Sequence, residues 1–185
     1  DDGKTIDLQA KNIIIVTGSK SRVLPNLPQD GKKIIGYREA MTLKSQPKKI
    51  IVVGSGAIGI EFAYFYNSMG SEVTIIEYLD RIVPREDKEI SKALEVNFKK
   101  NGVKILTSSE LLNAKVKDKT VSLTVKTGGK EHLLNADIVL SAVGIKSNIE
   151  NIGIEDVGIV TDKDKIIVDD YYQTNIPGYY AIGDI

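Results

Sequence analysis

The chain has 185 residues, which is enough for one sizeable domain or for one domain and part of another. It carries 25 basic and 25 acidic residues, so no net field favours nucleic acid or an anionic membrane as a partner. The absence of cysteine excludes a disulfide framework, a thiolate metal site and a redox-active cysteine pair within this chain.

The apolar stretches are far too short to span a bilayer. We expect no signal peptide, a cytoplasmic location and no metal site. The single histidine, His132, lies in an alternating stretch, so we expect it on a strand surface rather than as a catalytic base.

Residues 13–19 form the first predicted element, a buried strand that ends in a glycine turn, as strands of parallel sheets do. Residues 20–33 contain two prolines and a glycine, and they are predicted to form an extended linker. A short helix is predicted around residues 38–43, and it stops before Pro47.

A glycine motif, G-x-G-x-x-G, is formed by Gly54, Gly56 and Gly59. It lies among a predicted strand, helix and second strand, at residues 49–53, 57–68 and 72–78. Gly54 makes the tight turn, Gly56 lets a pyrophosphate approach the backbone, and Gly59 permits close packing of helix on strand. The N-terminus of the helix presents N–H groups and a partial positive charge to the phosphates.

Glu77 lies about 20 residues downstream of the glycines, as the dinucleotide fingerprint requires. Its carboxylate would accept hydrogen bonds from the adenosine ribose and repel a 2′-phosphate, so the sequence favours NAD(H) over NADP(H). Glycine-rich turns are common, and the alternative is a strand–turn–helix that needs glycine only for its geometry. The matched strands, helix and acid favour a dinucleotide site.

A second βαβ crossover is predicted next, with a helix at 86–100, ended by Asn101-Gly102, and a strand at 103–107. Three alternating stretches then predict an antiparallel meander in place of a helical crossover, at residues 110–117, 120–126 and 130–135. A buried strand at 137–143 stops at Gly144. The predicted fold class is therefore α/β, a Rossmann-like parallel sheet with a three-stranded antiparallel meander as a crossover.

The remaining residues are rich in loops, with predicted strands at 165–169 and 179–182. The last strand ends in Gly183-Asp184, one residue before the end of the chain, and the first strand has no partner sheet encoded before it. We therefore expect a piece of a longer protein, in which strands 13–16 and 179–182, left unpaired, would expose edges prone to association.

Six segments together carry a resemblance to a known family, at residues 16–19 (VTGS), 54–63 (GSGAIGIEFA), 73–77 (VTIIE), 80–84 (DRIVP), 87–91 (DKEIS) and 180–184 (YAIGD). They resemble the dihydrolipoamide dehydrogenase family of FAD-dependent pyridine-nucleotide disulfide oxidoreductases. The segments at 80–84 and 87–91 are more typical of lipoamide dehydrogenases than of their relatives. The similarity covers essentially the whole chain, but only the middle part of the family's chain.

The resemblance implies roles in binding NAD. The pyrophosphate would be lined by the residues of the glycine turn, Gly54, Ser55, Gly56, Ala57, Ile58 and Gly59. Glu77 would hold the ribose, and Leu111 would offer an apolar wall to the adenine. Three residues would lie under the nicotinamide half, Ala142, Val143 and Gly144.

Flavin contacts are implied at two further places. Glu61 would lie near the contact between nicotinamide and flavin. The alternative is that Glu61 is an ordinary acid of the first helical turn, which pairs with the helix dipole. In the parent enzyme, FAD would be contacted by Thr17, Gly18, Ser19 and Asp184. A turn aspartate after a glycine is the alternative for Asp184, and the preceding residues 181–183 favour the flavin role.

Residues 144–148 depart from the family's Gly-Arg-x-Pro-Asn, because they read GIKSN. The family's first FAD-binding glycine motif, its redox cysteine pair and its dimerisation domain with a His–Glu pair are absent from this sequence. The implied organisation is a residual flavin-domain strand and linker at 1–45, an NAD-binding domain at 46–145 and a truncated, returning flavin-domain segment at 146–185. No catalytic residue is expected in this chain.

The implied parent is a homodimeric flavoprotein that reoxidises dihydrolipoamide on acyl-transfer complexes, passing electrons through a disulfide and FAD to NAD⁺. This chain alone is expected to be inactive and to bind at most NAD(H). One alternative is another flavoenzyme, such as an NADH oxidase, a coenzyme A disulfide reductase or a mercuric reductase. The others are a free-standing module that senses NAD(H) and a dinucleotide fold that has lost its ligand.

Overall fold

The computed structural model describes Gly3 and residues 5–185, and it divides into two compact units. The first unit contains the described residues up to Lys20 together with Ile145–Ile185, and the second contains Ser21–Gly144. Each unit has its own buried apolar side chains, in one cluster in the first unit and in two clusters in the second.

The strands are, in chain order, β1 (Ile13–Ile15), β2 (Ser19–Ser21), β3 (Ile34–Ile35), β4 (Lys49–Val53), β5 (Glu72–Ile76), β6 (Lys104–Leu106), β7 (Ser109–Lys117), β8 (Thr120–Thr127), β9 (Lys130–Ala136), β10 (Ile138–Ser141), β11 (Ile145–Ser147), β12 (Thr161–Asp162), β13 (Lys165–Ile166) and β14 (Tyr179–Ala181). The helices are α1 (Tyr37–Ala40), α2 (Ala57–Ser68), α3 (Lys88–Lys100) and α4 (Ile154–Val157). The bounds of β4 and α2 are those that the sequence predicted.

A five-stranded parallel sheet forms the centre of the second unit, with strand order β3-β10-β4-β5-β6. In the middle strand, β4, Val53 lies beside Ile76 of β5 and beside Ser141 of β10. All residues of β4 after Lys49 are buried. A strand that is covered on both faces reads as an uninterrupted apolar run, as this one does.

Different elements cover the two faces of this sheet. On one face, alternate residues of β4 pack with helices α2 and α3, in a cluster that includes Ile50, Val52, Ala63, Tyr66 and Phe98. On the other face, β4 packs with strand β8, in a cluster that includes Ile51, Val53, Val121, Leu123 and Val125. The predicted α/β class, with a parallel sheet and a separate antiparallel meander, is confirmed.

Helix α3 begins at Lys88, two residues later than predicted, because Asp87 caps its N-terminus. The Asp87 carboxylate accepts a hydrogen bond of 2.8 Å from the Glu89 backbone N–H. The helix ends at Lys100, shortly before Gly102, whose φ of +86° is one that glycine adopts readily after a helix.

Strands β7, β8 and β9 form the predicted antiparallel meander. Gly128 and Gly129 make the two-residue turn between β8 and β9 with φ of +56° and +80°, the conformation of the tight hairpin turn that favours glycine. The register of β7 against β8 shifts between Leu111 and Asn113, which marks a bulge or irregularity in β7.

In the first unit, the pairing and burial of the strands differ from what the sequence suggested. β1 and β14 pair with each other in parallel, with Ile15 beside Ala181, so these two strands are not left unpaired. The expectation that β1 is buried is wrong, because Ile14 is 59% exposed and only Ile15 joins the buried cluster of this unit. A short sheet of β2 and β11 and a hairpin of β12 and β13 complete the pairing.

The segment before β4 is more ordered than a linker. Leu27 is fully buried, and β3 pairs with β10 in the sheet of the second unit, although the sequence grouped residues 34–35 with the flavin segment. The helix predicted at 38–43 is the single turn α1. The strand predicted at 165–169 is only the two residues of β13, because a turn organised by Asp169 follows it.

Candidate dinucleotide-binding site

The first and third glycines of the motif hold the strand–turn–helix together at two close approaches. Gly54 has a φ of +96°, and a Cβ there would lie 2.4 Å from the carbonyl oxygen of Ala142. A Cβ on Gly59 would lie 2.1 Å from the carbonyl oxygen of Gly54. Any side chain at either position would therefore push α2 or β10 away from β4.

Gly56 differs from the other two glycines because the space beside it is open. A Cβ on Gly56 would meet nothing within 4 Å, and the residue is solvent-exposed. Gly56 is also the N-cap of α2, and among the described residues no side chain caps this helix end. The open space thus lies at a helix N-terminus, where the backbone N–H groups of Ala57 and Ile58 carry a partial positive charge.

Glu77 follows β5, and its carboxylate is buried, with 7% of the residue exposed. Its Oε2 accepts hydrogen bonds from the backbone N–H of Ser55 at 2.9 Å and from the Ser55 hydroxyl at 2.6 Å. Its Oε1 accepts a hydrogen bond of 2.8 Å from the backbone N–H of Leu79. Because a carboxylate has about four acceptor positions, roughly one position on Oε1 remains for a ligand hydroxyl.

The loop at residues 80–84, one of the segments that carry the family resemblance, also supports the glycine turn. The backbone N–H of Val83 donates to the carbonyl oxygen of Ser55 at 3.0 Å. Ile82 is fully buried, and its carbonyl oxygen accepts a hydrogen bond of 2.6 Å from the Ser91 hydroxyl of α3. The sequence resemblance marked this segment but did not indicate its contacts with Ser55 and Ser91.

Ala142, Val143 and Gly144, which are predicted to lie under the nicotinamide, directly follow strand β10 of the parallel sheet. The backbone N–H of Ala142 donates to the carbonyl oxygen of Val53 at 2.8 Å, which places it beside the glycine turn. Val143 is half-buried, and Gly144 is exposed with a φ of +104°. All three therefore lie at the carboxyl edge of the parallel sheet, where ligands of such folds bind.

Leu111 and Glu61 lie in other surroundings. The side chain of Leu111 packs in the buried cluster beneath β8, with 7% of the residue exposed, so its role at the adenine stays a prediction. Glu61 is the fifth residue of α2, beyond the first turn, so the structure does not support the dipole alternative. It lines an open apolar depression of about 330 Å³, together with Ala40, Met41, Phe62 and Phe65.

The four predicted flavin residues lie in the first unit, after its two paired strands. Thr17, Gly18 and Ser19 follow β1, and Asp184 follows β14 on the same side, because the two strands are parallel. Asn148, which the sequence analysis did not select, holds the first segment. Its side-chain amide donates to the carbonyl oxygen of Thr17 at 3.0 Å, and its backbone N–H donates to that of Gly18 at 2.8 Å.

The described residues contain neither a candidate metal site nor a helix that could span a membrane. Among residues 3 and 5–185, no group of three or more histidine, aspartate or glutamate side chains is arranged to hold a metal ion. In the same part of the chain, no helix combines the length and the apolar character needed to cross a bilayer.

Comparison with known proteins gives consistent matches. The model of the pyridine nucleotide-disulphide oxidoreductase family matches residues 1–185. A dihydrolipoyl dehydrogenase of Chlorobaculum tepidum is 46% identical over the whole chain. The crystal structure of LpdA from Mycobacterium tuberculosis superposes with a TM-score of 0.89 at 30% identity, over 99% of this chain and 39% of LpdA.

A flavoprotein disulfide reductase, the HOCl-induced RclA of Escherichia coli, also has this fold. It superposes with a TM-score of 0.83 at 26% identity, over 97% of this chain and 41% of RclA. The chain spans about two fifths of the length of these proteins, since it covers 39% of the Chlorobaculum dehydrogenase.

Proposed function

The chain belongs to the pyridine nucleotide-disulphide oxidoreductase family, and from this premise we propose that its glycine turn binds NAD(H). The pyrophosphate lies against Gly56 and the N-terminus of α2, and the adenosine ribose donates a hydroxyl to Glu77. The nicotinamide half extends along Ala142–Gly144, at the carboxyl edge of the sheet.

The open space at Gly56 carries this proposal. The other two glycines of the motif face backbone at 2.4 Å or less, so their role in packing explains them. Gly56 has no such explanation, because a Cβ there meets nothing and its φ of −69° suits any residue. A glycine that neither the backbone conformation nor the packing requires, at a helix N-terminus without a side-chain cap, is accounted for by a phosphate that approaches it.

Glu77 supports selection of NAD(H) over NADP(H). Its buried negative charge lies where the ribose hydroxyls would bind, so a 2′-phosphate would meet a like charge in a poorly hydrated place. Three protein donors hold the carboxylate in position before any ligand arrives. Glu77 can therefore accept a hydrogen bond from one ribose hydroxyl without rearranging.

For the longer protein, we propose the activity named for the relatives, oxidation of dihydrolipoamide with NAD⁺. In this proposal the second unit, Ser21–Gly144, forms the NAD-binding domain, while the first unit belongs to a flavin domain. There, Thr17, Gly18, Ser19 and Asp184 contact FAD, and Glu61 lies near its contact with the nicotinamide. The protein is a cytoplasmic homodimer that serves acyl-transfer complexes, and this chain alone is inactive because it contains no cysteine.

A second candidate is a disulfide reductase with another substrate. The similarity to RclA favours it, because that protein covers the chain almost completely with a TM-score of 0.83. Both candidates use the same dinucleotide site, so they differ in the disulfide substrate and not in the function proposed for Gly56 and Glu77.

The dinucleotide site is tested by calorimetric titration of the chain with NAD⁺, NADH and NADPH, beside the variant Gly56→Val. We expect both NAD forms to bind and NADPH to bind roughly tenfold more weakly, because of the like charges at Glu77. In Gly56→Val the added methyl groups occupy the space of the pyrophosphate, so NAD⁺ binding weakens by roughly tenfold or more.

The matched control for this experiment is Ser68→Val, at the exposed other end of the same helix. It adds similar apolar bulk to α2 and is expected to leave NAD⁺ affinity unchanged. Equal affinity of the original chain and Gly56→Val for NAD⁺, or a preference for NADPH, would contradict the proposal.

A further inference from the structure

A polar residue lies on the apolar face of helix α3. Ser91 is 1% exposed and shares this face with Leu94 and Phe98, which pack in the buried cluster on the helical side of the parallel sheet. A buried hydroxyl is unfavourable unless it forms a hydrogen bond. The Ser91 hydroxyl donates to the carbonyl oxygen of Ile82 at 2.6 Å, whereas a serine inside a helix often donates to the carbonyl oxygen four residues earlier. Ser91 thus connects α3 to the loop at residues 80–84.

The next residue of this loop, Val83, has an unusual backbone conformation. Its φ is +39°, in the left-handed region, which is unfavourable for a β-branched residue. Two backbone hydrogen bonds hold Val83 there. Its N–H donates to the carbonyl oxygen of Ser55 at 3.0 Å, and its carbonyl oxygen accepts from the N–H of Glu86 at 2.9 Å. These bonds and the Ser91 contact at Ile82 together maintain a strained conformation beside the glycine turn.

The hydrogen bond from Val83 determines the direction of a backbone donor at the glycine turn. The described peptide bonds are all trans, so the C=O of Ser55 and the N–H of Gly56 point in opposite directions across one planar group. Because that carbonyl points to Val83, the Gly56 N–H points away from the loop. Gly56 is the N-cap of α2, so this N–H has no acceptor within the helix. The loop at 80–84 therefore orients a donor at the glycine whose surroundings are open.

We propose that Ser91 is a positioning residue for the pyrophosphate of the dinucleotide. Its hydroxyl fixes the loop at Ile82. The Val83 N–H then fixes the peptide group whose N–H belongs to Gly56, and that N–H donates to the phosphate. This inference rests on the proposed function, in which the pyrophosphate lies against Gly56. Orientation matters here, because a hydrogen bond weakens steeply when the donor points away from its acceptor, and bonds to a charged acceptor are the strong ones.

The first test is calorimetric titration of the original chain and Ser91→Ala with NAD⁺ and NADH. The alanine variant loses the donor to Ile82, so the loop no longer holds the peptide group at Gly56 in one orientation. We expect NAD⁺ to bind roughly three- to tenfold more weakly, because part of one charge-assisted hydrogen bond is lost. NADH is expected to lose affinity by the same factor, because it has the same pyrophosphate.

The matched control is Ser71→Ala. Ser71 is 3% exposed, and its hydroxyl donates to the carbonyl oxygen of Pro47 at 2.7 Å. It directly precedes β5, at the amino edge of the sheet, whereas the glycine turn follows the carboxyl end of β4. Both variants remove a buried hydroxyl that donates to a loop carbonyl of the same unit. We expect both to lower the urea midpoint, and only Ser91→Ala to weaken NAD⁺ binding.

The orientation of the peptide group is followed directly by the amide NMR signal of Gly56 in the unliganded chain. This signal is expected to move in Ser91→Ala and to stay in place in Ser71→Ala. In Ser91→Thr, which keeps a hydroxyl on the same carbon, the Gly56 signal and the NAD⁺ affinity are expected to return towards those of the original chain. A role of Ser91 in stability alone would change the urea midpoint without moving either readout.

Equal NAD⁺ affinity of Ser91→Ala and the original chain, or an equal loss in both alanine variants, would overturn the inference. A loss confined to NAD⁺ or to NADH would also overturn it. The proposed function would survive these results if Gly56→Val still weakens NAD⁺ binding. Failure of the original chain to bind NAD⁺ would end both proposals.

Discussion

Glu77 shows how one residue serves both the fold and the ligand. A carboxylate that is buried without partners would be costly, and this one accepts three hydrogen bonds from Ser55 and Leu79. These bonds join the glycine turn to the loop that follows β5. The geometry that a ribose would meet is therefore maintained by the same contacts that stabilise the unliganded protein.

The Ser55 hydroxyl gives a prediction at the residue scale. In Ser55→Ala the Glu77 carboxylate loses its donor at 2.6 Å but keeps the Ser55 backbone N–H at 2.9 Å. Ser55 is fully buried, so water does not replace the lost donor easily. We expect the free energy of unfolding to fall by about 1–3 kcal/mol, measured as a lower urea midpoint.

The control for Ser55→Ala is Ser68→Ala, at an exposed helix end. That substitution is expected to change the free energy of unfolding by less than about 0.5 kcal/mol. Equal midpoints for the two variants would show that the hydroxyl contributes nothing to holding the carboxylate.

At the scale of elements, the sequence predicted those features that local signals determine. The glycine motif defined β4, the turn and α2, and two glycines defined the turn between β8 and β9. Pairings between distant residues leave no such signal. β3 joins β10 through partners such as Ile34 and Val139, and neither residue's neighbourhood indicates the other.

In the candidate site, too, the features set by local sequence were predictable and the features set by packing between distant residues were not. Gly54, Gly56 and Glu77 come together as predicted by their spacing, since one strand–turn–helix and the next strand position them. Leu111 does not become accessible, because the face that a strand residue occupies depends on what packs beneath it. The exposure of β1 was missed for a similar reason, since burial depends on what covers a strand and not on its own apolar sequence.

Ion pairs that connect β2 and β11 give a prediction about the pH dependence of stability. The Glu150 carboxylate forms ion pairs with Lys146 of β11 at 2.6 Å and with Lys20 of β2 at 2.9 Å. These hydrogen bonds, first from Lys146 and then from Lys20, lower the pKa of the Glu150 carboxyl from 4.5 to about 2. A lowered carboxyl pKa means that the ion pairs stabilise the folded state above about pH 4.5 and are lost as the pH falls towards 2.

The measurement is a carboxyl NMR titration of Glu150 between pH 1.5 and 6. We expect a midpoint near 2, a higher midpoint in Lys146→Gln, and a higher midpoint at high salt because the groups are exposed to solvent. Lys163→Gln, at a lysine of the same unit that is not among the groups lowering the Glu150 pKa, is expected to leave the midpoint unchanged. An ordinary midpoint in the original chain would show that the two ion pairs are not formed in solution.

At the scale of the whole molecule, the chain carries its two cofactor-binding predictions in two separate units. The glycine turn and Glu77 both belong to Ser21–Gly144, and the predicted flavin residues all belong to the other unit. Each unit has its own buried cluster, so each has packing that stabilises it. A ligand of the dinucleotide site contacts the second unit alone in the proposed arrangement.

This separation predicts where NAD⁺ protects the backbone from hydrogen exchange. A ligand at 100 times its dissociation constant stabilises the state that binds it by about 2.7 kcal/mol. Amides of β4 and β5 that exchange by unfolding of the second unit are therefore expected to exchange roughly 100-fold more slowly with NAD⁺, as measured by mass spectrometry. Gly56→Val under the same conditions is expected to slow exchange by about tenfold at most, because its NAD⁺ affinity is roughly tenfold or more weaker. Slowing at β1 and β14 without slowing at β4 and β5 would place the ligand in the first unit and would contradict the assignment of the glycine turn.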